Sequence, residues 1–171
     1  MASQIRRYLA DDHTRLGALL EKAWAKPGLI DREAYAEFRA GLLRHIGLEE
    51  KILLPAIQKL RGGQPHPVAN RLRLDHGALA ALLVPTPTRT ILGAIRGILT
   101  VHNALEEGPG GVYEVAEKFE GAAADALFDL LRTAPEVAVA PHNDGPNVLE
   151  ATQRALSRAG YDLDDYAESH A

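Results

Sequence analysis

The sequence twice places a glutamate four residues after a histidine, as His45 with Glu49 and as His102 with Glu106. Residues four apart lie on one face of an α-helix, so each pair can direct an imidazole and a carboxylate at the same point. Leucines flank both pairs, and an ionised carboxylate that is buried among leucines needs a compensating cation. The two pairs therefore predict helices that meet around bound metal.

Four long helices are predicted, each with one histidine near its middle. Glycine and proline separate them near Gly28, Gly62 and Pro85, because these residues disfavour continuation of a helix. Aromatic residues make up only 5% of the chain, which favours helices over a sheet. The predicted spans are about 3–25, 32–60, 67–84 and 88–107, and their histidines are His13, His45, His76 and His102. Short connections between long helices predict an all-α, up-down four-helix bundle.

Single residues predict where these helices begin, bend and end. Asp31 suits the N-cap of the second helix, and Thr86 or Thr88 suits that of the fourth. Pro55 lies inside the second span and predicts a kink there, or an end followed by one more turn. Additional short C-terminal helices are predicted at about 112–119, 122–132 and 146–159, with a proline-rich loop over 134–145.

The predicted domain organisation has two parts. Residues 1–120 form the metal-binding bundle, and residues 121–171 form a helical extension that packs on the same domain. The motifs that carry chemistry all fall in the first part, so packing or dimerisation is the expected role of the second.

The distances along the chain place the four histidines at a similar depth in such a bundle. His13 and His45 are about 15 and 17 residues from the turn at Gly28, which puts them within ~3 Å of one level. The agreement is poorest for His76 and His102 around the Pro85 turn, where a longer loop has to absorb the difference. A shared level predicts two metal ions, each with two imidazoles, bridged by the two glutamates.

Several nearby residues have two interpretations. Glu50 and Glu107 come five residues after their histidines, and a solvated face or a salt bridge to Lys51 or an arginine is the favoured interpretation. The alternative is that they orient a ligand histidine or bind metal. Asp75 either orients a ligand or faces solvent, and Tyr113 either packs in the core or reaches over the open side of the site.

Composition limits the metal and the partners. The chain has no cysteine, so the ligands are nitrogen and oxygen, which suits iron or manganese and also admits zinc. A net charge of −4 argues against a nucleic-acid partner. The expected location is cytoplasmic, since no signal sequence and no run of roughly 18 apolar residues is present. The other three histidines, His66, His142 and His170, are expected in solvent, with His142 a minor candidate for a neighbour of the site.

Together these motifs resemble the hemerythrin-like, HHE cation-binding family over about residues 3–119. The resemblance rests on His-Ile-Gly-Leu-Glu-Glu-Lys-Ile-Leu-Leu-Pro from His45, Leu-Asp-His-Gly-Ala-Leu around His76, and His-Asn-Ala-Leu-Glu-Glu from His102. It implies a left-handed four-helix bundle with two non-haem iron ions, bridged by carboxylates and an oxo or hydroxo group. The ligands it implies are His13, His45, Glu49, His76, His102 and Glu106.

The chain departs from the oxygen-carrying members of that family at two positions. Ala80 stands where they have a second histidine in the third helix, and their last acidic ligand corresponds to Glu107 rather than Glu106. A site with one imidazole fewer is more open, which disfavours dedicated reversible oxygen carriage.

The resemblance implies a di-iron protein that binds or senses a small ligand, namely oxygen, nitric oxide or iron itself. The alternative is a di-iron enzyme acting on peroxide or a related small oxidant, and a metal-free helical interaction module is a third hypothesis. Zinc and manganese are the expected substitutes for iron. A homodimer is compatible with all three hypotheses.

Overall fold

The computed structural model describes residues 3–167, and these form helices and loops without a strand. The helices are α1 (Gln4–Trp24), α2 (Arg32–Leu48), α3 (Leu54–Leu60), α4 (Ala69–Leu82), α5 (Arg89–Glu107), α6 (Val112–Ala116), α7 (Gly121–Thr133) and α8 (Pro146–Ala159). A π-helical turn (Glu49–Leu53) joins α2 to α3, and a 3₁₀ turn (Leu163–Tyr166) follows α8. The all-helical prediction is confirmed, whereas the 3₁₀ turn has no counterpart in the sequence prediction.

Side-chain caps fix the starts of three long helices. The Ser3 hydroxyl accepts the N–H of the third residue of α1, and the Asp31 carboxylate does the same for α2. At α5 the cap is Thr88, while Thr86 instead donates its hydroxyl to the Asp144 carboxylate at 2.7 Å. The Asp31 prediction is therefore confirmed, and the choice left open for α5 falls on Thr88.

The proline in the second predicted helix produces the π-helical turn. Pro55 has no N–H to donate to the carbonyl four residues earlier, and its ring would clash with that carbonyl in a regular helix. The N–H of Leu54 instead reaches the Glu49 carbonyl, five residues back. Because a π turn holds more residues per turn than an α-helix, it keeps residues spaced by four on one buried face. These residues are His45, Glu49, Leu53 and Ile57.

The helices enclose two apolar clusters. α1 packs on α2 and α5, and α4 packs on α5. One cluster contains Leu16, Phe38, Leu42, Leu79 and Ile95, and the other contains Ile5, Leu9, Leu48, Leu72 and Tyr113. The predicted ligand histidines of α1, α2 and α4 each lie along the helix between residues of one cluster and residues of the other. These histidines are His13, His45 and His76. A belt of buried polar side chains thus separates the two apolar clusters.

The segments after α6 complete these clusters. Leu127 and Leu131 of α7 join the cluster that contains Leu9, and Leu156 of α8 joins the cluster that contains Phe38. The 3₁₀ turn packs on α5, where a Cβ on Gly97 would lie 2.6 Å from the ring of Tyr166. Glycine is therefore required at residue 97 for this close approach.

Two of the three remaining histidines lie in the described part of the chain. The prediction for His66 is wrong, because its side chain is buried and its Nδ1 accepts the N–H of Val68 at 3.3 Å. His142 is exposed as predicted, and it stacks on Tyr35 away from the candidate site. His170 lies outside the described residues. Within residues 3–167, no helix has the length and apolar character to cross a membrane.

Candidate metal centre

The structure brings all six predicted ligand residues together in the belt between the two clusters. Their potential ligand atoms form two groups, and within each group all the atoms lie within 4.8 Å of one another. The first group is His13, His45, Glu49 and Glu106, and the second is Glu49, His76, His102 and Glu106. All six side chains are buried. Two adjacent positions for a cation therefore share both carboxylates.

Each carboxylate directs one oxygen to each position. Glu49 lies 3.5 Å from His45 Nε2 through Oε1 and 3.1 Å from His76 Nε2 through Oε2. Glu106 lies 3.3 Å from His13 Nε2 through Oε2 and 3.1 Å from His102 Nε2 through Oε1. A carboxylate that is shared by two metal ions needs one oxygen directed at each of them, and both glutamates meet this condition.

The contacts of Glu106 provide a test of whether this pocket suits a cation. Both of its oxygens are buried, and neither has a hydrogen-bond partner among the described residues. The short distances to His13 and His102 are consistent with this, because the atoms approach without the alignment of a hydrogen bond. His76 Nε2 and His102 Nε2 also face each other at 3.1 Å. Ligand atoms that point at a common centre leave this pattern, so the donor set fits a metal.

In each of the four histidines of the two groups, the other ring nitrogen, Nδ1, faces a carboxylate. His13 Nδ1 donates to Glu107 and His76 Nδ1 to Glu50, both at 2.6 Å. His45 Nδ1 donates to Asp12 at 2.8 Å, and His102 Nδ1 lies 3.4 Å from Asp75. A carboxylate on Nδ1 fixes the proton there and leaves the Nε2 lone pair for a metal.

These contacts revise the sequence prediction for the acids. Glu107 is solvated as the favoured interpretation predicts, with 41% of its side chain exposed, and its carboxylate also holds His13. For Glu50 both interpretations apply, because it forms a salt bridge with Arg73 at 3.3 Å and also holds His76. Asp75 is fully buried and faces His102 rather than solvent.

Asp12 is the site residue that the sequence prediction missed. Its signal is present in the sequence: an aspartate directly precedes the histidine in α1 and again in α4, as Asp12-His13 and Asp75-His76. Burial raises the pKa of Asp12, but the neighbouring His45 and Arg15 outweigh this and lower it. Asp12 is therefore held ionised beside the imidazole that it orients.

Tyr113 of α6 reaches into the site from the side of the first group. Its hydroxyl donates to Glu49 Oε1 at 2.6 Å and lies 3.1 Å from His13 Nε2. Burial, together with the charges of Glu49 and Glu106, raises the pKa of Tyr113 well above its usual value. The tyrosine packs in the core and also reaches the site, and it remains a protonated donor at neutral pH.

Without metal, protonated histidines supply part of the positive charge that balances the buried carboxylates. Burial lowers the pKa of His45, but Glu49 and Asp12 outweigh it and raise the pKa to about 10. Burial likewise lowers the pKa of His102, while Asp75 and Glu106 raise it to about 10. A metal that binds Nε2 of these imidazoles has to displace these protons, so its affinity increases with pH.

The comparison with known families identifies the first part of the chain. Residues 4–109 match the family model of the hemerythrin HHE cation-binding domain. The chain belongs to this family. The match covers α1 to α5 and hence all six buried residues of the two groups. No curated protein and no solved structure matches the chain.

The family match covers the part of the chain that contains the buried polar groups. A hemerythrin-type cation-binding domain covers residues 4–109, and its buried histidine and glutamate groups are able to hold metal. Tyr113 lies just beyond the match, as do α7, α8 and the 3₁₀ turn.

Proposed function

We propose that this hemerythrin-like protein holds two non-haem iron ions and binds or senses a small ligand such as oxygen or nitric oxide. The observation that carries the proposal is the pair of buried four-residue groups that share Glu49 and Glu106. In this proposal His13 and His45 would hold one ion, and His76 and His102 would hold the other. Glu49 and Glu106 belong to both groups and would contribute to holding both ions.

A bound iron pair supplies redox-active charge and coordination positions for a small ligand. The chain's own residues prepare the site for it. The carboxylates on the four Nδ1 atoms keep the imidazoles turned inward, and the apolar clusters on both sides exclude water. Tyr113 holds a proton on its hydroxyl oxygen, which lies 2.6 Å from Glu49 Oε1 at the edge of the first group.

The proposal also includes the order in which the four long helices run up and down. Along α1 and α4 the chain passes from the Leu9 cluster to the Phe38 cluster, and along α2 it passes in the opposite direction. α5 begins in the Phe38 cluster, and its partly buried Leu105 packs against the Leu9 cluster. This alternation supports an up-down arrangement of the four long helices, with the metal pair at the middle level.

An enzyme acting on peroxide is the second candidate. The specific observation in its favour is the Tyr113 hydroxyl, because a buried proton donor beside a metal position serves bond cleavage better than simple binding. The iron-loaded protein distinguishes the two candidates. Steady turnover of hydrogen peroxide supports the enzyme, and a reversible spectral change on adding and removing nitric oxide supports the binding protein.

Metal analysis with a matched pair of variants tests the proposal. After anaerobic loading with Fe(II) and exposure to air, we expect about two irons per chain and near-ultraviolet absorption with a visible tail. His45→Gln should lose iron, because it removes a predicted ligand. The exposed His142→Gln should keep both ions. Colourless protein after loading, or equal iron content in the two variants, contradicts the proposal.

A further inference from the structure

A cavity of about 200 Å³ lies between α1 and α5 and opens on the candidate metal centre. We call it the α1–α5 slot. Its inner end is formed by His13, His45 and His102. From there it runs between the two helices, from His13 to Glu21 on α1 and from Asn103 back to Arg96 on α5. Eight residues of helix correspond to a length of about 12 Å.

The mouth and the walls of the slot differ in character. At the mouth, Arg96 and Glu21 form a solvent-exposed ion pair at 3.6 Å. The walls between mouth and imidazoles are mainly apolar and include Leu16, Leu20, Leu42, Leu79 and Leu99. A charged ligand would lose its water along these walls without a compensating partner, so the slot favours an uncharged molecule.

The volume is larger than a diatomic ligand requires. An apolar cavity of about 150 Å³ is enough to hold benzene, and the slot exceeds that value. Gly17 contributes to the space, because a Cβ built on it would have no neighbouring atom within 4 Å. The slot therefore has room for an organic molecule with roughly six to ten non-hydrogen atoms.

One residue of the wall has a polar atom that lacks a partner. The Oδ1 atom of Asn103 is buried and accepts no hydrogen bond from the described residues. Asn103 lies next in sequence to His102, at the inner end of the slot. Rotation of the Asn103 side chain would turn this oxygen toward the slot, where a ligand that carries a hydroxyl-type donor would satisfy it beside the imidazoles.

We propose that the α1–α5 slot binds a small uncharged organic molecule with an apolar body and one O–H donor, which Asn103 accepts. The inference rests on the proposed function, because the slot opens on that metal centre and delivers the polar end of the molecule to it. The class includes organic alcohols and organic hydroperoxides, which share this chemistry.

Two probes of the same ring size test the donor requirement. Benzyl alcohol carries the hydroxyl group and toluene does not, and their binding is measured by NMR titration of the metal-free and the iron-loaded protein. We expect benzyl alcohol to bind about fivefold or more tightly than toluene. Asn103→Leu should remove this preference, since the acceptor is lost.

Glycine variants test the location. Gly17→Leu fills the slot and also favours the helix, so we expect benzyl alcohol affinity to fall about tenfold or more. Gly77→Leu is the matched control, because a Cβ on Gly77 of α4 also meets open space, outside the slot. It should leave the affinity unchanged. Leu99→Phe narrows the slot from α5 and replaces Gly17→Leu if that variant fails to fold.

Iron content measured in parallel separates this inference from the proposed function. Protein that takes two irons but binds neither probe, or binds them equally in Gly17→Leu and Gly77→Leu, overturns the slot proposal alone. Protein that takes no iron but loses benzyl alcohol only in Gly17→Leu overturns the metal centre and supports the slot as a binding site.

Discussion

At the scale of single residues, the candidate centre is two copies of one pattern. Each copy has an aspartate before a histidine on one helix, and a histidine followed by two glutamates on the next. Within a copy the aspartate holds the second histidine, as Asp12 holds His45. Between copies, the second glutamate of one copy accepts a hydrogen bond from the first histidine of the other copy, as Glu107 does from His13. The two halves of the site thus fix each other's imidazoles.

Asp12 and its neighbour Asp11 allow this orientation to be tested. Asp12→Asn removes the carboxylate that holds His45 Nδ1, and loss of such a partner typically lowers metal affinity about 10- to 100-fold. Asp11 is exposed, so Asp11→Asn makes the same chemical change on the same helix without reaching the site. Competition with a chromophoric chelator measures both affinities. Equal affinities for the two variants would show that the carboxylate is not needed.

The sequence predicts the six buried residues of the two groups but not all of the acids behind them. The spacing of four in each His-Glu pair depends on helix geometry alone, so it is readable without a structure. Whether Glu107 reaches His13 depends on how α5 is rotated against α1, which no local pattern specifies. Tyr113 is harder still, because the glycine-rich turn before α6 determines where its ring points.

At the scale of helices, the described structure follows the predicted spans closely, because caps and glycine or proline signals act locally. The π-helical turn was not predicted in that form. It depends on Pro55, which removes a hydrogen bond, and also on burial of Leu53 and Ile57 in the core, which requires a particular rotation of α3. The sequence shows the proline, while the rotation follows from packing.

Gly97 of α5 tests the docking of the 3₁₀ turn. Gly97→Ala places a Cβ 2.6 Å from the Tyr166 ring, so we expect the turn to shift and the free energy of unfolding to fall by about 1–3 kcal/mol. Trp24 is the single tryptophan of the chain, and a Cβ built on Gly93 would lie 3.7 Å from Trp24 and 3.6 Å from Tyr166. Its fluorescence should therefore report the shift.

Gly77→Ala is the control for that experiment. Gly77 also lies inside a helix, but a Cβ there meets open space. We expect this variant to gain roughly 0.5–1 kcal/mol, because alanine loses less backbone entropy than glycine on folding. Denaturant titration measures both variants. If Gly97→Ala is as stable as Gly77→Ala, the turn does not pack on α5 as described.

At the scale of the whole molecule, the segments beyond the family match contribute to both apolar clusters. α7 closes the cluster around Leu9, and α8 packs on α4 beside the cluster around Phe38. The sequence predicts helices there because their apolar faces are periodic. It gives no sign of where they dock, since docking depends on which surfaces of the other helices remain uncovered. The division at residues 120 and 121 stays a prediction.

The extension also reaches the candidate centre. Tyr161, just after α8, donates its hydroxyl to Asp75 Oδ1 at 3.0 Å, while Asp75 Oδ2 faces His102 Nδ1. Arg71 binds the same aspartate at 2.8 Å and donates to the Ala159 carbonyl at the end of α8. A chain of contacts thus joins a segment outside the hemerythrin match to a site histidine.

Tyr161→Phe breaks this chain at its outermost contact, with Tyr166→Phe as the control from the same segment. Tyr161→Phe should lower metal affinity by about threefold, less than a change at Asp75 itself, because Arg71 still holds the carboxylate. The Tyr166 hydroxyl donates to no residue within 3–167, so its removal should leave the affinity unchanged. Chelator competition gives the affinities, and denaturant titration of the metal-free proteins gives their stabilities. A loss of stability with no change in metal affinity would mean that the extension packs on the hemerythrin-type domain without positioning His102.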